Sequence, residues 1–315
     1  MKSKLDKLSS ELDRCQEIAI SGYEPAAIIL VHKILEDLRH SKNWPDYVKD
    51  YCRTHSIFST LSQCPLTLRC VDKPRGYSGD AVTLDLIYDK HITNNVSQTS
   101  AHGKRLFSAL VEMPVCSSVN YRSKFIAKTI DKFAKKRALE GSQPISVLSL
   151  ASGHARELEA CESLRNGEVK HVLALDQDEL SLDVLRTRFQ GRPVTGFKGT
   201  VRQILSGQIL SDSFGKFDFI YSAGLYDYLD ERVATKLTTK LFDCLQPGGV
   251  LLIANFHPDN HGTAYMEAFM DWWLIYRSEE ELKTVILEID PIKISDLKQF
   301  RDPFGNVTYL QLERI

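Results

Sequence analysis

The sequence predicts an α/β fold in two parts: a mainly helical cap over residues 1–140, and over 141–315 a mostly parallel sheet that closes on an antiparallel hairpin. Three observations carry this expectation. Apolar residues recur at three- and four-residue intervals from Leu5 to about Leu38, and further helical stretches follow to about residue 140. After Gly141 to Pro144 the texture changes to short β-rich apolar runs separated by helical stretches, the pattern of βαβ units around a buried sheet. Finally, Asp302-Pro303-Phe304-Gly305-Asn306 supplies turn chemistry between the last two runs.

Taken in order, Leu5 to Leu38 reads as two packed helices, with Pro25 placed where the second begins. Further helices are expected at about 45–62, 81–90 and 101–112, and a longer one from Val119 to Glu140 with Phe125, Ile126, Ile130 and Phe133 on its apolar face. The expected strands are Ile145–Leu150, His171–Leu175, Val194–Lys198, Phe217–Ser222, Val250–Asn255, Ile294–Phe300 and Val307–Leu312. Gln246-Pro247-Gly248-Gly249 reads as a tight turn ahead of the fifth strand, with a geometric role.

Composition narrows the function. Apolar residues make up 43% and charged residues 26%, which suits a globular protein with a sizeable core. Lys and Arg total 40 against 41 Asp and Glu, so no basic surplus announces a nucleic-acid partner. No apolar run approaches the length of a membrane span, and the charged N-terminus lacks the apolar stretch of a secretion signal; a cytoplasmic location is expected. Seven scattered cysteines, never spaced as CxxC, read as reduced structural thiols, and no metal site is expected.

The ligand-binding signal lies at the ends of the strands. Leu150-Ala151-Ser152-Gly153-His154-Ala155-Arg156-Glu157 is a small-residue turn between a strand and a helix, where a ligand can approach the backbone. Asp176, with Gln177 beside it, ends the second strand 23 residues after Gly153, the spacing at which doubly wound folds place an acid on ribose hydroxyls. A helix cap is the plainer role for the same aspartate. Thr200 and Val201 follow the third strand, where they meet an adenine edge or simply cap a helix. Ser222-Ala223-Gly224 ends the fourth strand in small residues, at the sheet edge where such folds hold ligands.

These residues resemble class I S-adenosylmethionine (SAM) dependent methyltransferases: LSLASGHARE as the first motif, LALDQD as the second and LQPGGVLLIANF after the core. More narrowly, DKPRGYSGD at 72–80, SAGLYDYL at 222–229 and YMEAFMDWWLIYRSEEEL at 265–282 look like the bacterial methyltransferases of 3-hydroxypalmitic acid methyl ester biosynthesis, which make a fatty-acid-derived quorum-sensing signal. The resemblance implies a Rossmann-like domain with SAM along the tips of the first four strands, Gly153 near its methionine end and Asp176 on its ribose. One departure is the bulkier Ser152-Gly153-His154 turn, where relatives carry a more glycine-rich one.

Methyl transfer is an in-line displacement, so positioning is the main task. A carboxylate acceptor is already ionised at neutral pH, whereas a hydroxyl needs a base. For an anionic acceptor Arg277, Arg75 and Arg122 are the candidate guanidinium partners; for a protic one Tyr226 and His257 are the candidate bases. The apolar cluster from Tyr265 to Tyr276, including Trp273, is expected to form a helix that is part core and part wall for a lipid-like acceptor. Tyr77, within Arg75-Gly76-Tyr77-Ser78-Gly79-Asp80, is expected on a lid that touches cofactor or substrate. The leading expectation is O-methylation of a fatty or hydroxy-fatty carboxylate, with a homo-oligomer compatible. The alternatives are a hydroxyl O-methyltransferase and a non-catalytic module that binds SAM without turnover. A nicotinamide oxidoreductase is disfavoured, because GxGxxG is absent and the chain ends in a hairpin.

Overall fold

A computed structural model describes residues 2–89, 99–209 and 214–315. The chain forms two compact units. One comprises Met1–Asn120 with Asn260–Trp273, and the other Tyr121–Asp259 with Leu274–Ile315.

The first unit is helical. Helices α1 (Lys2–Ile20) and α2 (Glu24–Arg39) bury Leu8, Leu12, Cys15 and Ala19 with Ala27, Ile28, Val31 and Leu35, the spacing that gives a helix one apolar stripe. Pro25 lies in the first turn of α2, where its missing N–H costs nothing. The helix expected at 45–62 is broken into Trp44–Tyr47, a π-helical turn Val48–Cys52 and Ile57–Leu61, and an unforeseen helix follows at Pro65–Asp72. The helix expected at 81–90 runs Ala81–Asp89, its expected last residue lying outside the described residues. Those expected at 101–112 and 119–140 are Ala101–Val111 and Pro114–Leu139.

Thr263–Phe269 is the part of the aromatic cluster that is helical, and all seven of its residues are buried. The helix ends there instead of continuing to Tyr276, because the chain turns at Asp271, whose φ of 48° is left-handed. Asp271 is also an ionic hub. Its carboxylate accepts from Arg53 at 2.6 Å and Trp273 Nε1 at 3.0 Å and pairs with Lys73, while its carbonyl accepts from Ser78 Oγ at 3.0 Å. The loop at residues 72–80 is thereby fastened at both ends within this unit, with Arg75 and Tyr77 half-buried between.

In the second unit seven strands form one sheet of order β3-β2-β1-β4-β5-β7-β6. They are β1 (Ile145–Leu150), β2 (Val169–Asp176), β3 (Val194–Lys198), β4 (Phe217–Ser222), β5 (Leu245–Phe256), β6 (Ile294–Arg301) and β7 (Val307–Arg314). The first five are parallel; β7 inserts antiparallel between β5 and β6. This is the mostly parallel sheet closing on an antiparallel C-terminal hairpin that the sequence predicts. β1 is buried at all six positions, as a central parallel strand covered on both faces must be. Leu148, Leu150, Ile220 and Ile253 pack there with Ala234, Leu237 and Leu241 of the helix Glu231–Asp243.

Pro247-Gly248-Gly249 does not precede β5 but lies inside it. Leu245 pairs with Phe217 and Val250 with Phe219, so the extra residues form an irregularity that tolerates proline. All seven cysteines are buried thiols. No helix among the described residues is long and apolar enough to cross a membrane.

Candidate active site

In the sheet order the chain moves from β1 outward to β3, then returns to place β4 on the other side of β1. The direction of winding reverses between β1 and β4, and the carboxyl edge at such a point is where open α/β sheets leave a crevice. Register brings the tips level there: Leu150 lies beside Leu175 of β2 and beside Ser222 of β4.

The turn after β1 has an unusual backbone. Ala151, Gly153 and Ala155 all have φ between 48° and 53°, so left-handed residues alternate through it, and two of the three are alanines. Ser152 N–H donates to Leu175 O at 3.1 Å, and Gly153 N–H donates to Asp176 Oδ2 at 2.7 Å. The turn is thus held against the tip of β2. The helix that follows has only four residues, Glu157–Ala160, so its dipole offers less to an anion than the sequence suggests.

Asp176 is 4% exposed. Oδ2 takes the Gly153 N–H and Oδ1 the Asp178 N–H at 2.9 Å; a carboxylate has lone pairs beyond these two bonds. Burial pushes its pKa up, against the pull of the Asp178, Gly153 and Gln177 N–H groups. The helix Glu179–Arg188 is capped by Asp178 rather than Asp176, whose side chain therefore has no capping duty there. Gln177 beside it is exposed.

Ser152 Oγ and Ser222 Oγ are buried with no hydrogen-bond partner among the described residues. Buried hydroxyls rarely go unsatisfied in a native fold, and two on adjacent strand tips mark a place for a polar ligand. Thr200 does cap a helix: it forms a capping box with Gln203 at the start of Val201–Leu205, and Val201 packs against the core. Glu157 is buried with Tyr221, whose hydroxyl donates to it at 2.5 Å; burial raises the pKa of both.

The candidate bases Tyr226 and His257 and the candidate anion partner Arg277 are each engaged by the protein itself. Tyr226 is fully buried, its hydroxyl 2.8 Å from Thr238 Oγ1, and burial raises its pKa further from the range of a base. His257 Nδ1 accepts the Asp259 N–H at 3.0 Å while Nε2 faces Arg301 and Glu279. Arg277 donates to Tyr226 O and Asn255 Oδ1 at 2.7 Å and to Leu229 O at 2.5 Å, clamping the chain after β4. Trp273 is exposed beside Asp271 and Tyr276 is half-buried.

Arg122, expected as a substrate partner, does lie at the tip of β4. Its guanidinium sits 5.9 Å from the Phe256 ring centroid, and Nη1 is 3.4 Å from the point where a Cβ on Gly224 would be. Asp227 Oδ2 is 3.7 Å from the same point. Asp227 is a residue the sequence did not single out. It stands in SAGLYDYL among other polar residues, and it is the acid of that stretch that the fold buries, at 2% exposed.

Solved structures resemble the chain at low identity. A possible exported protein from Bordetella parapertussis is 12% identical, over 99% of this chain and 96% of that one, with a TM-score of 0.58, so the fold is shared along the whole length. An O-methyltransferase family protein from Burkholderia thailandensis is 16% identical over 68% of this chain and 61% of that one, with a TM-score of 0.46. Magnesium protoporphyrin IX methyltransferase from Synechocystis, solved with bound S-adenosylhomocysteine (SAH), is 13% identical over 64% and 87%, with a TM-score of 0.42. No family model and no curated protein matches the chain.

Proposed function

We propose that this protein is a SAM-dependent methyltransferase acting on a small-molecule oxygen acceptor. The observation that carries the reading is Asp176 at the tip of β2, closed onto the Gly153 N–H beside the β1/β4 switch point, the place from which an acid meets ribose hydroxyls in such folds. The orphaned hydroxyls of Ser152 and Ser222 fit the same ligand, since its amino-acid end brings both donors and acceptors to the tips of β1 and β4. Bound there, SAM supplies an electrophilic methyl group on a sulfonium. The chain's task is to hold the acceptor in line and keep water out.

On the motif resemblance, the first acceptor class is a fatty or hydroxy-fatty carboxylate, made into a methyl ester. Arg122 would hold such an anion beside Gly224. Asp227, facing the same point, favours a second reading in which the acceptor is a hydroxyl. In either case Arg277 acts by fixing the turn at Tyr226–Tyr228. The lid role of the loop at 72–80 rests on its composition.

Titration calorimetry with SAH tests the cofactor. Wild-type protein is expected to bind, and Asp176→Ala to bind at least about tenfold more weakly while keeping its circular dichroism, a loss on the scale of about 1.4 kcal/mol for charge-assisted hydrogen bonds. A folded wild type that binds no SAH would sink the reading.

A further inference from the structure

We propose that Asp227 is the proton acceptor of the transfer, and that Asp227 Oδ2 and the Arg122 guanidinium, facing one point above Gly224, select a hydroxyl acceptor. The inference rests on the methyltransferase reading and names its acceptor class.

Four features carry it. First, Asp227 is held in one orientation: Oδ1 accepts the Phe256 N–H at 2.7 Å and the backbone carbonyl accepts the Ile275 N–H at 2.7 Å. Among the described residues only Oδ1 takes a hydrogen bond. Oδ2 is the oxygen turned toward Gly224. Second, the carboxylate and the guanidinium converge on Gly224, which carries no side chain to cover them, so an acceptor hydroxyl that reaches this place meets both. Third, the turn is braced from behind by Arg277, which binds the carbonyls of Tyr226 and Leu229. Fourth, the carboxyl is tuned for the work. Burial pushes its pKa up to about 7, while the Phe256 N–H and the charges of Arg122 and Arg277, the ionic groups that bear on it, pull the other way. A base with that pKa matches neutral pH.

The step balances without a further reactant. The acceptor O–H bond breaks toward Asp227 Oδ2 as the oxygen forms its bond to the methyl carbon. The carbon–sulfur electron pair leaves on sulfur as the neutral thioether, and the aspartic acid formed returns its proton to solvent. A carboxylate acceptor would need no base and would meet a like charge at Oδ2.

The test compares wild type with Asp227→Asn, which keeps an oxygen for the Phe256 N–H. Both are assayed with SAM and two acceptor pools, alcohols and phenols in one and fatty acids in the other, and the carboxyl itself is followed by carbon NMR of labelled aspartate with SAH bound. Methyl ethers are expected from wild type, with a rate that rises between pH 6 and 8. In Asp227→Asn the rate should fall at least about 100-fold and lose that rise, with SAH affinity unchanged within about twofold. An NMR signal titrating near 7 in wild type should be missing from the variant. Methyl esters as the product, no transfer to any hydroxyl by a wild type that binds SAH, an unchanged pH profile in the variant, or a carboxyl titrating below about 5 would each overturn the proposal. Absent SAH binding would instead remove the methyltransferase reading beneath it.

Discussion

Asp227 is a residue the fold stabilises in its neutral form. Because burial lifts its pKa from 3.8 to about 7, the native protein holds this proton more tightly than the unfolded chain. The stabilisation is complete below about pH 4 and is lost as the pH rises through 7, for a total of up to roughly 4 kcal/mol at about 1.4 kcal/mol per tenfold in proton affinity. Urea unfolding at set pH values should therefore show wild type losing stability relative to Asp227→Asn between pH 4 and pH 8; parallel curves would refute the assignment. A second residue-scale expectation concerns Ala151, exposed and left-handed. Ala151→Gly relieves about 1 kcal/mol or more of steric cost and gives part of it back as chain entropy, so the melting temperature should rise slightly rather than fall. The places of Gly153 and Asp176 at the tips of β1 and β2 were legible in the sequence because their spacing is a geometric requirement of the fold. Asp227 was not, because its chemistry comes from what covers it. The same blindness gave Tyr226 and His257 prominence: their place after a strand was readable, but the bonds of Tyr226 to Thr238 and of His257 to Arg301 and Glu279 were not.

Among the elements, strands were read more sharply than helices. β1 and β4 fall where their apolar runs do, since a strand buried on both faces is a bounded hydrophobic run. Pro65–Asp72 was missed because its N-cap is Cys64, with no side-chain cap bond to advertise it. β5 was read as starting at Val250 because proline and two glycines normally end a strand; here they bulge within one. That bulge is tightly fitted. A Cβ on Gly249 would lie 2.8 Å from Gln246 O and 3.1 Å from Asp218 O, both backbone atoms with no freedom to move aside. Gly249→Ala should therefore cost about 1–3 kcal/mol, visible as a lowered urea midpoint with unchanged slope. A neutral substitution would mean the strand can slide.

At the scale of the whole molecule, the sequence suggested a boundary near residue 140, while compactness assigns Asn260–Trp273 to the unit that also holds the N-terminal helices. A strand order alternating with helices was readable; a segment returning from the second half of the chain to the first was not, since no local pattern encodes which partner an apolar helix chooses. A fragment of residues 141–315 would carry Tyr265, Met266, Phe269 and Met270 without the helices that bury them. It should bind a hydrophobic dye and aggregate where the full chain does neither. The buried thiols give the molecule an internal reporter of a different kind. Five of them, Cys15, Cys52, Cys64, Cys70 and Cys116, lie in one unit, and Cys161 and Cys244 in the other. An alkylating reagent added under native conditions reaches a thiol only when its surroundings open, so the mass added over time counts openings, and the sites modified first name the half of the protein that breathes more readily.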